Sequence, residues 1–412
     1  MPRLLIAYHF FHPDDVVSAR IFSDFAREQQ RRGWEVSAVA SNRSWADPAR
    51  RYDAYENWNG IRIHRVFRPP WKQSRPLQRL ANSGWMTAAW LGRIAQLGRF
   101  DAVVIGSDPA FAPLLARGLR VAQPHAKLAH WCFDLYPEAI AAEGGSALTR
   151  ALVPVAGRLM KWGYGAYDEI VDIGPRMQER LRAYAPRAAQ QTLVPWALVE
   201  PPAPPAAEPR ARAALFPRAK LALLYSGTMG RAHDHRAFLE LARICRARSG
   251  DDIGICFSSR GNRQDELRAA VTPADTNVSF APFADEEALP ERLAAADLQL
   301  VSLQPEWAGI VVPSKFFGSL AVGRPVLYAG PPESEIARWI SQYDVGLTLG
   351  GDIAAVADRL HALLRDPGEI PRWQANAFAV YQREFSKRVV NDRWDRMLRD
   401  LIGAQPASAT SR

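Results

Sequence analysis

The chain has 412 residues, too many for one ordinary hydrophobic core, so two α/β domains of about 200 residues each are the expected division. Hydrophobic residues make up 48% and charged residues 23%, which excludes a disordered chain, and no run of about 20 apolar residues is present to span a bilayer. Lys and Arg outnumber Asp and Glu by 52 to 43, a balance that suits nucleic acid, an anionic membrane or a phosphorylated ligand without choosing among them. The cysteines Cys132, Cys245 and Cys256 are scattered without metal-ligand spacing and read as buried free thiols of a reducing compartment.

Leu4 to His9 reads as a buried first strand, too short and wrongly flanked for a signal peptide. Phe10 to Arg20 is a loop into a helix that ends near Gly33, and Trp34 to Ala40 is the second strand. This βαβ opening lacks Gly-x-Gly-x-x-Gly, so nothing in it points to a dinucleotide. Its loop gathers His9, His12, Asp14, Asp15, Ser18 and Arg20. Residues 61–67 form another strand. The segment 65–99 holds Arg65, Arg68, Lys72, Arg75, Arg79, Arg93 and Arg99 without one acidic residue, interleaved with Trp71, Trp85, Met86, Trp90, Leu91 and Ile94. Such a mixture suits the interface of an anionic membrane. It equally describes a core helix with a basic outer face. Single-stranded nucleic acid is a third use, but no nucleic-acid motif accompanies it.

Asp101 to Gly106 and Lys127 to Cys132 are strands, and the second ends in Phe133-Asp-Leu-Tyr-Pro-Glu138. Asp134 lies at a strand's C-terminal end, where open α/β sheets bind ligands. A carboxylate there can orient a hydroxyl or take its proton. Glu138 opens a helix, where its negative charge can also simply complement the positive N-terminal end of the dipole. Helices are expected over 148–166 and 175–183, with a strand over 169–173.

The expected organisation is a first domain over 1–196, a linker over 197–216, a second domain over 217–375, a final helix over 376–402 and a disordered tail over 403–412. Proline repeats across residues 200–209 suggest a semi-rigid connection. In the second domain Lys220 to Tyr225 is a strand that runs into Ser226-Gly-Thr-Met-Gly-Arg-Ala-His-Asp234. Gly227 and Gly230 let the backbone approach a phosphate, and Arg231 or His233 supplies charge. Ala296 to Leu303 enters a buried strand and Gln304 to Gly309 turns out of it. Pro313 suits a first helical turn, Ser314 to Val322 runs as a short helix, and Gly323 can cap it. Lys315 adds a full positive charge at the helix start, so a phosphate fits there. In the final helix Tyr381, Phe385, Val389, Trp394 and Leu398 are the candidate buried positions.

Four stretches in order, Phe133 to Glu138, Tyr225 to His233, Pro313-Ser-Lys315 and Gly323-Arg-Pro-Val326, resemble motifs of the GT-B glycosyltransferases of family 4. The resemblance is greatest to the subgroup that builds bacterial surface polysaccharides such as colanic acid and O-antigen. It implies a GT-B fold: two Rossmann-like α/β domains facing across a cleft, with the C-terminal helix crossing back to the first. It implies a retaining, metal-independent hexosyl transfer without cofactor, in agreement with the lack of an Asp-x-Asp pair at a strand end. The donor is then a nucleotide diphosphate-sugar, with UDP or GDP as nucleotide, and the acceptor a lipid-linked glycan. Asp134, Lys315 and Arg231 fall on catalytic positions. Gly227, Gly230, His233, Glu306, Gly309, Ile310, Val311, Ser314, Glu335 and Arg20 fall on donor-binding positions, and His12, Ser18, Tyr136 and Glu138 on acceptor-binding ones. The family carries two glutamates eight residues apart; Glu306 can be the first, but the second position is Ser314 or Gly318, and Glu335 can stand in. The resemblance further implies a cytoplasmic enzyme, peripheral on the inner face of the plasma membrane, with 65–99 as its contact and no nucleic-acid partner. A sugar-nucleotide epimerase and a catalytically silent carrier-binding scaffold are the alternatives.

Overall fold

The computed structural model describes residues 1–71, 76–144 and 147–404. Lys72 and Arg75 of the basic segment, and the expected tail from residue 405 onward, lie outside them. The chain divides into two compact units. The first comprises Met1–Val194, Gly309–Val311 and the chain from Val390 onward; the second comprises Pro195–Ala308 and Val312–Val389.

The first unit is built on an eight-stranded sheet: β1 (Arg3–Ala7), β2 (Glu35–Ser41), β3 (Tyr55–Trp58), β4 (Ile61–Val66), β5 (Ala102–Gly106), β6 (Lys127–Trp131), β7 (Glu169–Asp172) and β8 (Ala189–Thr192). Their spatial order is β3-β4-β2-β1-β5-β6-β7-β8, and all pairs are parallel except β3 with β4. Helices cover both faces, so β1 buries Leu4, Leu5, Ile6 and Ala7 without alternation. Successive strands run outward on either side of β1, and the order reverses between β1 and β5. Helix Val17–Arg31 turns Ile21, Phe22, Phe25 and Ala26 to the core. The last helix, Lys387–Ile402, belongs to this unit from Val390 on. Its Trp394 ring lies 4.8 Å from that of Trp131 and 5.0 Å from that of Phe25.

The second unit carries a six-stranded, all-parallel sheet: β9 (Leu221–Thr228), β10 (Ile253–Arg260), β11 (Val278–Phe280), β12 (Leu298–Ser302), β13 (Val326–Ala329) and β14 (Gly346–Leu349). The order is β11-β10-β9-β12-β13-β14, so this sheet reverses between β9 and β12. Leu223 belongs to the core on one face and Leu224 to the core on the other, as the two-residue period of a strand requires. β9 pairs with β10 from Leu221 through Thr228, but with β12 only at Leu223 and Leu224. The C-terminal part of β9 therefore diverges from β12 and leaves room beside it.

Three expectations change. Within 197–216, Pro209–Leu215 is a helix packed in the second unit and capped by the Glu208 carboxylate, which accepts from the Ala211 N–H. The final helix is not continuous over 376–402. A helix over Glu369–Val380 passes through a wide turn, Tyr381–Phe385, and breaks at extended Ser386 before Lys387–Ile402 begins. The Glu200 carboxylate accepts from both the Tyr381 hydroxyl and the Lys387 N–H and so caps the new helix. The break shifts the buried register, and Val390 rather than Val389 faces the core.

Candidate active site

In the second unit Gly227, His233 and Lys315 come together at the reversal between β9 and β12, the position where parallel sheets take ligands. Lys315 opens a short helix, Lys315–Ala321, and its half-buried side chain runs back across β9. Its Nζ donates to the Thr228 carbonyl at 2.7 Å and reaches His233 Nε2 at 3.1 Å. His233 Nδ1 lies 2.7 Å from the Ser302 carbonyl, so Nδ1 carries the proton and Nε2 presents a lone pair to Lys315. The loop after β9 is held against β12 by the same residue, because the Asp234 N–H donates to Ser302 Oγ at 3.1 Å. Gly227, with φ +127°, leaves room for the lysine: a Cβ there would lie 2.8 Å from Lys315 Cε. A Cβ on Gly230 would meet nothing within 4 Å, so this turn borders open space.

Two of the three ammonium protons of Lys315 are thus spoken for, and no ion pair with a carboxylate is present among the described residues. Burial lowers its pKa from 10.5 to about 7. Burial, and then the neighbouring Lys315 charge, hold His233 down to about 3. This corrects one expectation: His233 is an uncharged acceptor that positions Lys315, and it supplies no charge of its own. Arg231 is exposed on the adjoining turn, where its carbonyl and that of His233 accept from Gln304 Nε2.

The other donor-side candidates separate. Glu306 is exposed in the turn Pro305–Trp307, and Ser314 is exposed just before Lys315. Glu335 is 1% exposed at the start of helix Glu335–Tyr343. Gly309, Ile310 and Val311 group with the first unit, where the Ile310 carbonyl accepts from the Leu135 N–H at 3.1 Å. Gly309 takes φ +69°, and a Cβ there would meet Arg180 Nε at 2.9 Å. Arg20 lies in helix Val17–Arg31 of the first unit, 3.6 Å from Asp15.

In the first unit the reversal between β1 and β5 gathers polar groups from three strand ends. His9 Nδ1 lies 3.2 Å from Asp108 Oδ2. Ser107 Oγ accepts from the N–H groups of Phe133 and Asp134 at 3.2 and 3.1 Å and so fixes the loop after β6. Burial, then the charges of Asp108 and Glu143, push Asp134 up from 3.8 to about 7. Tyr8 and Tyr136 are raised well above the ordinary phenol value by burial and by Asp108 and Asp134, and Ser18 hydrogen-bonds the Tyr8 hydroxyl. Asp134, Tyr136 and Ser18 therefore share one site. Glu138 does not line it in the same way: its Oε1 accepts from the Tyr184 hydroxyl. His12 stacks on Trp58 at 4.1 Å and lies 3.8 Å from Glu56. Tyr8 and Asp108 enter the site without a motif to mark them, beside His9 of the loop after β1; their positions at the ends of β1 and β5 are the one signal available.

The basic segment 65–99 is not a single outer face. Arg65 is 5% exposed and bound to Glu56, and Arg68 is 3% exposed. Arg79 pairs with Glu143, Arg93 reaches His64 Nδ1, and Met86, Trp90 and Ile94 are buried. Phe67, Trp71 and Trp85 are exposed in this segment, and a second exposed apolar stripe occurs on helix Ala147–Tyr164, at Val155, Leu159 and Trp162. Among the described residues no helix is long and apolar enough to cross a membrane, and no group of His, Cys, Asp or Glu side chains is arranged to hold a metal ion.

Two largely parallel sheets, each reversing its strand order once, define a GT-B fold, and solved structures agree over the whole chain. Sucrose-phosphate synthase from Thermosynechococcus elongatus superposes with a TM-score of 0.73 at 15% identity, covering 98% of this chain and 100% of that one. HepE of Anabaena in complex with UDP-glucose gives 0.65 at 13%, covering 97% and 99%. WaaG, a glycosyltransferase involved in lipopolysaccharide biosynthesis, gives 0.65 at 16%, covering 97% and 100%. In sequence, residues 18–197 match the family described as Glycosyl transferase 4-like domain. No curated protein matches the chain.

Proposed function

We propose that the protein is a glycosyltransferase that moves a sugar from a nucleotide diphosphate-sugar, bound by the second unit, to an acceptor bound by the first. The observation that carries this reading is the chain Ser302–His233–Lys315–Thr228, which aims an ammonium without a carboxylate partner at the reversal of a parallel sheet. As the anomeric C–O bond breaks, negative charge grows on the departing diphosphate, and Lys315, with Arg231 on the adjoining turn, opposes that charge. Asp134 serves the acceptor hydroxyl; a carboxyl poised near 7 is suited to hold or take a proton at neutral pH. Retention at the anomeric carbon and independence of metal are part of the proposal, with UDP or GDP as the nucleotide. The UDP-glucose bound to HepE supports a uridine donor.

The acceptor is a lipid-linked glycan of surface polysaccharide synthesis, handled at a membrane surface on the cytoplasmic side. Support comes from WaaG among the structural neighbours and from helix Ala147–Tyr164. Val155, Leu159 and Trp162 are 59%, 41% and 54% exposed on it, and Arg158 and Lys161 flank them. The helix contains no acidic residue, and the Arg117 guanidinium lies 5.1 Å from the Trp162 ring centre. Apolar side chains beside cations suit an anionic bilayer interface. The test of the central reading is turnover with UDP- and GDP-sugars. Lys315→Ala and Arg231→Ala should each lower kcat by roughly 10²–10³, and near-wild-type turnover in both would remove the phosphate site. Product analysis separates transfer from epimerisation, and absence of any nucleotide binding would favour a silent scaffold.

A further inference from the structure

Two buried arginines leave β4 and its end, and they are treated differently. Arg65 reaches the Glu56 carboxylate at 2.6 Å and the His12 carbonyl at 2.6 Å. Arg68 has only its backbone satisfied: its N–H donates to Asn42 Oδ1 at 3.0 Å, and its carbonyl accepts from Arg43 Nε at 2.6 Å. The guanidinium itself, on a residue 3% exposed, lies 5.4 Å from the Phe10 ring centre, and its Nε and Nη1 are buried without a hydrogen-bond partner among the described residues. Leaving a buried guanidinium without hydrogen-bond partners is costly, because the carboxylates of Asp108 and Asp14 act on it only through space and do not replace the water that its N–H groups gave up. Arg43, 4% exposed, likewise reaches no carboxylate; its Nε and Nη1 go to the carbonyls of Arg68 and Pro48.

The surrounding charge is not balanced either. Arg43, Arg51 and Arg68 act on one another or on the same neighbours, against the carboxylates of Asp14 and Asp108. Asp14 is occupied by the Trp45 N–H and the Tyr52 hydroxyl, and Asp108 faces His9. His9 also stacks on Phe10, at 4.1 Å, and its Nε2 is buried without a partner. One further anion would pair the open guanidinium fork, and that place adjoins the Asp108–Asp134 cluster assigned to the acceptor.

We propose that the first unit holds an oxyanion subsite in which the Arg68 guanidinium binds an acidic group of the acceptor, a phosphate or a carboxylate. It rests on the reading that the first unit takes the acceptor. A guanidinium fork grips either oxyanion with two parallel hydrogen bonds.

Thermal unfolding of the Lys315→Ala protein, with and without Arg68→Met, tests it. The probes are inorganic pyrophosphate, inorganic phosphate and glucuronate, with glucose as the neutral control. With Lys315 removed, at least one of the anions should still raise the melting temperature, and adding Arg68→Met should abolish that rise. A response to the phosphates alone, or to glucuronate alone, identifies which acid the subsite takes. Arg68→Met should melt no lower than its parent in anion-free buffer, because it removes an unpaired buried charge; Arg68→Lys, which keeps the charge without the fork, should give a smaller anion response. An anion response unchanged by Arg68→Met, no response to any anion, or a lower melting temperature of Arg68→Met in anion-free buffer would overturn the proposal. Failure of the glycosyltransferase reading would appear elsewhere, as absence of any nucleotide response in the wild-type protein.

Discussion

Lys315 should take up a proton when a nucleoside diphosphate binds above neutral pH. With its pKa at about 7, the side chain is charged in about a tenth of molecules at pH 8. A phosphate oxygen beside Nζ restores the ammonium, so binding at pH 8 should absorb about 0.9 proton per site, against about 0.1 at pH 6. Affinity should weaken about tenfold for each pH unit above 7 until the free and bound values meet. The linked effect on the unliganded protein has the same origin. The unfolded chain holds a proton on this lysine up to 10.5 and the folded chain only to about 7. Stability therefore rises with pH between those values, by at most about 5 kcal/mol. Titration calorimetry with UDP and GDP at pH 8, in buffers of different ionisation enthalpy, measures the uptake directly. Lys315→Met should abolish it and flatten the rise in melting temperature above pH 7. Uptake below about 0.2 proton in the wild-type protein, or equal uptake in Lys315→Met, would refute the account of this lysine.

Asp134→Asn should retain nucleotide binding and lose transfer; a parallel loss of both would contradict its placement on the acceptor side. The same change has a stability signature, because the folded state holds the Asp134 proton to about 7 and the unfolded state only to 3.8. Wild-type stability is then fully present near pH 4 and declines through this window, so Asp134→Asn should melt above the wild type at pH 8 and level with it near pH 4. The protein should co-sediment with anionic liposomes at low salt, each engaged cation contributing about 1 kcal/mol. Replacing Val155, Leu159 and Trp162 together by Ser should abolish that binding, and sedimentation like the wild type would mean that another surface makes the contact.

The strand ends that carry the site were largely readable, since Asp134 and Lys315 each follow an apolar run and precede a helix. Strands β3, β8 and β14 were not. β3 and β8 alternate between half-buried and exposed, Ala189-Gln-Gln-Thr192 has no apolar run to find, and only Leu349 of β14 is fully buried. Charge counting also misplaced the arginines after β4, because composition records a cation but not whether it is buried. Arg68 looks identical to Arg79 in sequence; only the fold shows that one is enclosed and the other paired with Glu143. The shift from Val389 to Val390 had a similar cause: a helical period cannot anticipate an interruption at Ser386 that is held by Glu200, nearly two hundred residues earlier.

The return of residues 390–402 to the first unit sets the order in which the protein can be completed during synthesis. Trp394 fills the space between Phe25 and Trp131, in the interior of a unit whose eight strands are all made first. A ribosome that has translated through Val194 has released nearly all of that unit but not the side chain that closes its core. The amino-terminal half must wait, with an apolar pocket open, until the second unit has been translated in full. A fragment ending at Val194 should therefore be prone to aggregate, and a peptide spanning 387–404 supplied in trans should rescue it.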